Sequence, residues 1–235
     1  MRRPIVAVGD PHGDWQPLLE VCQRVRPAAV LIVGDCDLSR PLRETLAPLW
    51  EAGIRVRYVI GNHDVDSPAW FANLVEDHPT GNLHGRAEEI EGVTVAGLSG
   101  IYSAKIWFPK SADENLGPFF WSRGEWLRKH PHLQRQRDVG ARDGRGLPIK
   151  YHGLIFPEDH DLLAEIGQAE GADILVTHEA PPTYRYGFRG IQQAAEACRA
   201  KLVIHGHHHQ SYEGVLPNGC KVRGLARGEP WVVQL

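Results

Sequence analysis

The sequence predicts an α/β fold, and three observations carry that prediction. Short β-branched apolar runs recur along the chain, each ends in a turn of Gly, His, Asp or Asn, and segments with a helical apolar period lie between them. Alternation of strand and helix implies right-handed crossovers between parallel strands, with ligands gathered at the strands' carboxyl ends. The chain has 235 residues, 42% hydrophobic and 23% charged, the composition of an ordinary globular domain. A core of that size needs no disulfide or structural metal, so a metal site here would be functional. The net charge of −3 excludes a protein that coats nucleic acid or an anionic membrane through its overall charge.

The first strand is read over 5–8 and runs into Gly9-Asp10-Pro11-His12. The second, over 30–33, enters Gly34-Asp35, and the third, over 56–60, enters Gly61-Asn62-His63-Asp64. The fourth, over 174–176, enters Thr177-His178, and the fifth, over 202–204, enters His205-Gly206-His207-His208-His209. Helices are expected over 16–25, 41–50, 68–75, 157–170 and 191–200. Asp14 stands where the first of them needs an N-cap, ahead of Pro17. Segments 88–98 and 211–222 read as hairpins turning at Glu91-Gly92 and Pro217-Asn218-Gly219, so mixed sheets are expected. Residues 101–150 are aromatic, basic and rich in Gly and Pro without a sustained period. They read as an insertion or lid within a single domain spanning 1–235.

The apolar runs are far shorter than the ~20 residues of a membrane-spanning helix. The run after Met1-Arg2-Arg3 stops at Gly9-Asp10 with no small-residue cleavage site, unlike a secretory leader. Cys22, Cys36, Cys198 and Cys220 form no C-x-x-C pair and read as reduced thiols, so the expected compartment is the cytoplasm.

The chemistry sits in the turns. Taken singly, Asp10 and Asp35 are ordinary turn or cap residues, and His12 or His178 an ordinary loop histidine. Placement at five strand ends changes that reading, because the fold would gather Asp10, His12, Asp35, Asn62, His178, His207 and His209 into one crevice. His207 and His209, two apart on an extended segment, share a face. Nitrogen and oxygen donors without thiolate suit Mn²⁺, Fe or Zn²⁺ rather than Ca²⁺ or a structural zinc. Seven ligands exceed one tetrahedral ion. Two ions ~3.5–4 Å apart, bridged by a carboxylate and a hydroxide, would use them all and clamp the attacking and leaving oxygens of an in-line displacement. That chemistry is phosphoester hydrolysis.

In order and placement, the blocks Asp10-x-His12, Gly34-Asp35, Gly61-Asn62-His63-Asp64, Thr177-His178 and Gly206-His207-x-His209 resemble the calcineurin-like metallophosphoesterases over the whole chain outside 101–150. The resemblance implies a four-layer α/β/β/α sandwich with mixed sheets and a dinuclear metal site at the strand carboxyl ends. It implies that Asp10, His12 and His209 hold one ion, Asn62, His178 and His207 the other, and that Asp35 bridges. His63 is then left as the catalytic histidine, donating a proton or a hydrogen bond to the leaving oxygen. Asp64 either orients His63 or caps the helical region at Pro68. One departure stands out: the family's second block commonly reads Gly-Asp-x-x-Asp, often followed by Arg-Gly. Here it reads Gly34-Asp35-Cys36-Asp37-Leu38-Ser39, with Leu38 in place of the second aspartate. This argues against the phosphoprotein-phosphatase branch and leaves open whether Asp37 supports the catalytic histidine. Cys36 is read as buried packing, and His205 and His208 as supporting or exposed.

The implied activity is metal-dependent hydrolysis of a phosphodiester or nucleotide-like phosphoester by a metal-bridging hydroxide. The expected cofactors are two divalent or trivalent ions, Mn²⁺ first and Fe or Zn as alternatives. The expected partner is a small phosphoester, with no membrane. One alternative is a nuclease, because 101–150 carries ten Lys and Arg against five Asp and Glu, interleaved with Trp107, Phe119, Phe120, Trp121 and Trp126. The other is a non-catalytic metal-binding scaffold, which retention of every ligand argues against.

Overall fold

A computed structural model gives the fold and describes residues 2–131 and 146–234. Its strands are β1 (Ile5–Val8), β2 (Ala29–Ile32), β3 (Arg55–Tyr58), β4 (Ala87–Ile90), β5 (Val93–Leu98), β6 (Phe108–Pro109), β7 (Asn115–Leu116), β8 (Ile174–Thr177), β9 (Leu202–His205), β10 (Tyr212–Val215), β11 (Lys221–Gly224) and β12 (Pro230–Val232). One sheet has the order β12-β1-β2-β3, with β1, β2 and β3 parallel and β12 antiparallel to β1. The other has the order β10-β11-β9-β8-β5-β4, in which β11, β9, β8 and β5 are parallel and both edge strands antiparallel. Both sheets are mixed, as expected. Glu91 and Gly92 take φ of 54° and 77°, the two positive values a two-residue hairpin turn needs.

The continuous apolar runs of β1 and β2 follow from burial on both faces. Val6, Val8, Val30 and Ile32 pack against Leu18 and Cys22 of α1 (Gln16–Val25) and against Leu49, beyond α2 (Leu42–Thr45), in α3 (Ala47–Glu51). On the opposite face Ile5, Ala7, Ala29 and Leu31 meet Val95, Ile174, Val176, Leu202 and Ile204 of the second sheet. That sheet's other side, through Ala96, Leu98, Leu175 and Val203, packs on helical residues Leu163, Ile191, Ala194 and Ala195. Helices therefore cover the outside of each sheet while the inner faces meet. Among the described residues no helix is long and apolar enough to cross a membrane.

Several expected elements shift. The helix over 41–50 is two helices, α2 and α3, because Pro48 lacks the N–H that would reach back one turn and its ring crowds the carbonyl there. The helix over 68–75 is α4 (Pro68–Phe71) followed by a π-helical turn, Ala72–Glu76. Trp15, not Asp14, is the N-cap residue of α1, although the Asp14 carboxylate accepts from Gln16 N at 3.3 Å. Strand β12 lies outside the sequence reading, since it has three residues and opens on a proline, a residue tolerated at a sheet edge.

The described part of the insertion has its own small core, in which Ile106, Leu147 and Trp126 of α5 (Arg123–Lys129) surround Phe156. Phe119 and Trp121 are exposed. Arg135, Arg137, Arg142 and Arg145 lie outside the described residues. The insertion is tied to α6 (Pro157–Gln168), which precedes α7 (Arg189–Ala197). Buried Asp159 accepts from both terminal nitrogens of Arg123 at 2.6 and 3.1 Å and faces His84 Nε2 at 3.2 Å. Burial alone would raise this carboxyl, but His84 and Arg123 hold it below the usual range. Next to it, His160 Nε2 lies 2.8 Å from Tyr102 Oη, and burial pushes its imidazole down to about 4.

A histidine depressed on folding contributes stability that is fully present above its unfolded value near 6.5 and lost as the pH falls toward 4. His160→Gln is expected to flatten that part of the stability profile by up to about 3 kcal/mol. Urea unfolding of both proteins at the two ends of the window tests this. Parallel losses would place the acid sensitivity elsewhere.

Candidate metal centre

The five turns meet at one end of the two sheets. Asp10 and His12 follow β1, Asp35 follows β2, Asn62 and His63 follow β3, His178 follows β8 and His207 follows β9. Their backbone is unusual. Asp10, His12, Asp35, Asp37, His207 and His209 all have positive φ, between 23° and 69°, a region that costs non-glycine residues energy and collects at functional sites. Glycines provide the clearance: a Cβ on Gly206 would lie 2.2 Å from Asp10 Oδ1, and Gly34, at φ 107°, passes within contact of Gly61 and His178.

The side chains form two groups that share Asp35. In the first, Asp10 Oδ2 is 3.6 Å from His209 Nε2, which is 3.1 Å from His12 Nε2, which is 3.9 Å from Asp35 Oδ2. In the second, His178 Nε2 is 3.0 Å from Asn62 Oδ1 and 3.3 Å from Asp35 Oδ2, and one nitrogen of His207 falls within 4.8 Å of both Asp35 and His178. Asp35 also accepts from His63 N at 2.8 Å, and Asp10 from His207 N at 2.7 Å. All seven candidate ligands are thus within reach of one crevice.

The residues fit the expected ions. Among the described residues Asp10 Oδ1 is buried without a hydrogen-bond partner, and burial raises the Asp10 carboxyl to about 6. Asp35 and Asp10 overcome the burial penalty on His178 and raise it to about 10. Two buried carboxylates therefore recruit a proton as their positive charge, a role a metal cation fills better. His178 Nδ1 donates to Val33 O at 2.8 Å, which leaves Nε2 aimed at Asn62 and Asp35 in the manner of a ligand fixed through its other nitrogen.

The support around these groups differs from the sequence reading. Among the described residues, the Asp64 carboxylate takes no hydrogen bond from the His63 ring and does not cap the helix at Pro68. Its oxygens accept from Asp35 N at 3.0 Å, Cys36 N at 2.7 Å and Gly61 N at 2.8 Å, and Ser67 Oγ takes the cap bond. The carboxylate facing His63 belongs to Asp66, whose Oδ2 lies 2.8 Å from His63 Nδ1. Asp37 does not support His63 either: its Oδ2 lies 2.8 Å from His12 Nδ1. Cys36 is fully buried below the site. Glu179, missed from the sequence although it adjoins His178, is buried, accepts from Ala180 N at 2.9 Å and faces His208 Nε2 at 3.6 Å.

Asp64→Ala would strand three buried N–H groups and is expected to cost about 3–5 kcal/mol of stability, with Asp64→Asn, which keeps an acceptor oxygen, costing less. Urea unfolding of the metal-free protein measures it. A stability unchanged by Asp64→Ala with turnover lost would return Asp64 to a direct catalytic role.

Comparison with known proteins bears on the fold and the family. An uncharacterized protein of Haemophilus influenzae is 29% identical over 210 residues, covering 88% of this chain and 84% of that protein. Two solved structures share the fold. A dimetal phosphatase from Danio rerio matches at TM-score 0.55 and 13% identity, covering 95% of this chain and 87% of that one. The protein TT1561 of Thermus thermophilus matches at TM-score 0.53 and 16% identity, covering 97% and 90%. The profile of the calcineurin-like phosphoesterases matches residues 3–211, nearly the whole chain, and the protein belongs to that family.

Proposed function

We propose that the protein is a two-metal phosphoester hydrolase of the four-layer sandwich type, acting on a small phosphodiester or nucleotide-like ester. The observation that carries this reading is the pair of ligand groups that share Asp35, beside an orphaned oxygen of Asp10. Asp10, His12 and His209 would hold one ion, Asn62, His178 and His207 the other, and Asp35 both. When bound, two such ions polarise the phosphoryl oxygens and supply a nucleophile from water at neutral pH.

The chain's own residues do the rest. His63 stands at the rim, 46% exposed, with its ring 5.4 Å from that of His12. With Nδ1–H donated to Asp66, its Nε2 is the atom that holds the proton passed to the leaving oxygen. The preference for a diester over a phosphoprotein rests on Leu38 and the missing Arg-Gly in the second block. A small substrate is favoured over nucleic acid because three of the six described cations of the insertion are already engaged. Lys110 Nζ donates to the carbonyls of Tyr186 and Gly187, Arg123 is held by Asp159, and Lys129 pairs with Glu125 at 2.8 Å.

Two outcomes are expected. Elemental analysis of active protein should give two ions per chain, with Mn²⁺, Fe and Zn²⁺ each assayed, and Asp35→Asn should weaken both and abolish hydrolysis. One ion or none in a fully active preparation would overturn the two-metal reading. His63→Ala should keep its metals and lose roughly 10²–10⁴-fold in turnover on an alkyl ester but much less on a nitrophenyl ester, whose leaving group departs unaided. Asp66→Ala should show part of the same leaving-group dependence. Equal losses on both esters would assign the pair to positioning alone.

A further inference from the structure

A row of rings leads away from the candidate metal centre. His207 lies 5.0 Å from His178, His208 lies 4.6 Å from His207, and Tyr184 stacks on His208 at 4.5 Å with an interplanar angle of 28°. Tyr186 meets Tyr184 edge-on at 5.8 Å, and the Arg185 guanidinium lies over the Tyr186 ring at 4.2 Å. None of Tyr184, Arg185 and Tyr186 is used by the chemistry above.

The loop that carries them is held in place by the protein itself. Phe188 N donates to Ala180 O at 2.8 Å, Gly187 N to Tyr184 O at 2.9 Å and Tyr184 N to Pro181 O at 3.0 Å, closing the loop at three points. Lys110 fastens it from the insertion through the carbonyls of Tyr186 and Gly187. Behind Tyr184 stands Tyr212, 5.8 Å away, whose Oη lies 2.8 Å from His205 Nε2 and 3.1 Å from Thr183 Oγ1. Despite this buttressing, Tyr186 is 50% exposed and Arg185 is exposed. A closed loop that uses six hydrogen bonds to present a guanidinium lying flat on a half-exposed ring offers a preorganised surface to a planar ligand, since both groups stack on π-systems and a guanidinium edge donates to oxygen.

We infer that Tyr184, Arg185 and Tyr186 form the subsite for the planar aromatic part of the substrate, a nucleobase, while the phosphoester lies at the His207 end of the same ring row. The inference rests on the phosphoesterase reading and narrows it to nucleotide-type esters. The exposed Tyr186 ring and the guanidinium lying on it form one stacking surface, and the guanidinium edge donates to a ribose or phosphate oxygen. Tyr184 and His208 hold that face at a fixed distance from the metal centre.

The test is equilibrium binding to the Mn²⁺-loaded protein, which needs no turnover. The probes are the phosphonate analogue of adenosine 5′-monophosphate, whose bridging carbon cannot be cleaved, the same ribose phosphonate without the base, and adenosine. The base is expected to tighten phosphonate binding roughly 5–100-fold, as one stacked base does. Tyr186→Ala should reduce that advantage to less than about twofold and Tyr186→Phe should retain it. Equal binding of the two phosphonates, or a base advantage that survives Tyr186→Ala, would overturn the subsite while leaving the phosphoesterase reading intact. Adenosine binding that depends on Tyr186, with no affinity for either phosphonate's anionic group, would keep the subsite and overturn the phosphoesterase reading. Binding of none of the probes would overturn the subsite.

Discussion

Two buried carboxylates set the terms for everything around them. Asp10 and Asp35 end adjacent parallel strands, β1 and β2, and each is almost fully removed from water. Carboxylates in that position are tolerated only with compensating charge and directed donors. The donors are backbone N–H groups of His207 and His63, each delivered by a different strand end. Four separate turns must therefore close on one point, and their local conformations are sacrificed to that requirement. The positive φ values of Asp10, His12, Asp35, Asp37, His207 and His209, each costing about a kcal/mol or more, are where the sacrifice is visible.

The sheets make such convergence possible. Parallel strands β1, β2 and β3 in one sheet and β8 and β9 in the other end on the same side, and their inner faces are locked by Ala7, Leu31, Val176 and Ile204. With strand ends fixed by that core, the candidate ligands lie only one to four residues beyond them. Asp64 then staples the turns after β2 and β3 together by taking N–H groups from Asp35, Cys36 and Gly61. The Asp64 carboxylate thus fixes the relative position of the turns that carry Asp35 and Asn62.

How much of this was legible in the sequence follows from the range of each interaction. Five strands and the residues after them were readable because a buried parallel strand is an apolar run whose end is marked by Gly and a polar donor. The hairpin at Glu91-Gly92 was readable from its turn residues. What was not readable depends on directions the sequence does not carry. Asp64 and Asp66 are both close to His63 along the chain, and only the 3₁₀ turn His63–Val65 decides that Asp66 faces the ring while Asp64 points inward. Asp37 reaches His12 rather than His63 because its own positive φ turns it toward the first strand's loop. Strand β12 was hidden by its proline and its length.

The departure at Leu38 acquires a physical meaning in this light. Leu38 is buried with Cys36, Leu42 and Leu46 in the core outside the first sheet, so an aspartate there would need a partner that this packing does not offer. The carboxylate beside the rim histidine is supplied instead from Asp66, three residues after His63 on the same turn. A pair made within one turn moves as a unit, whereas a pair made between the second and third strand ends would fix the histidine to the floor of the site. His63 and Asp66 are 46% and 57% exposed, and a water-exposed pair of this kind contributes little to stability. The pair therefore bears on the orientation of one imidazole at the mouth of the crevice, while the apolar cores on the faces of the sheets hold the fold.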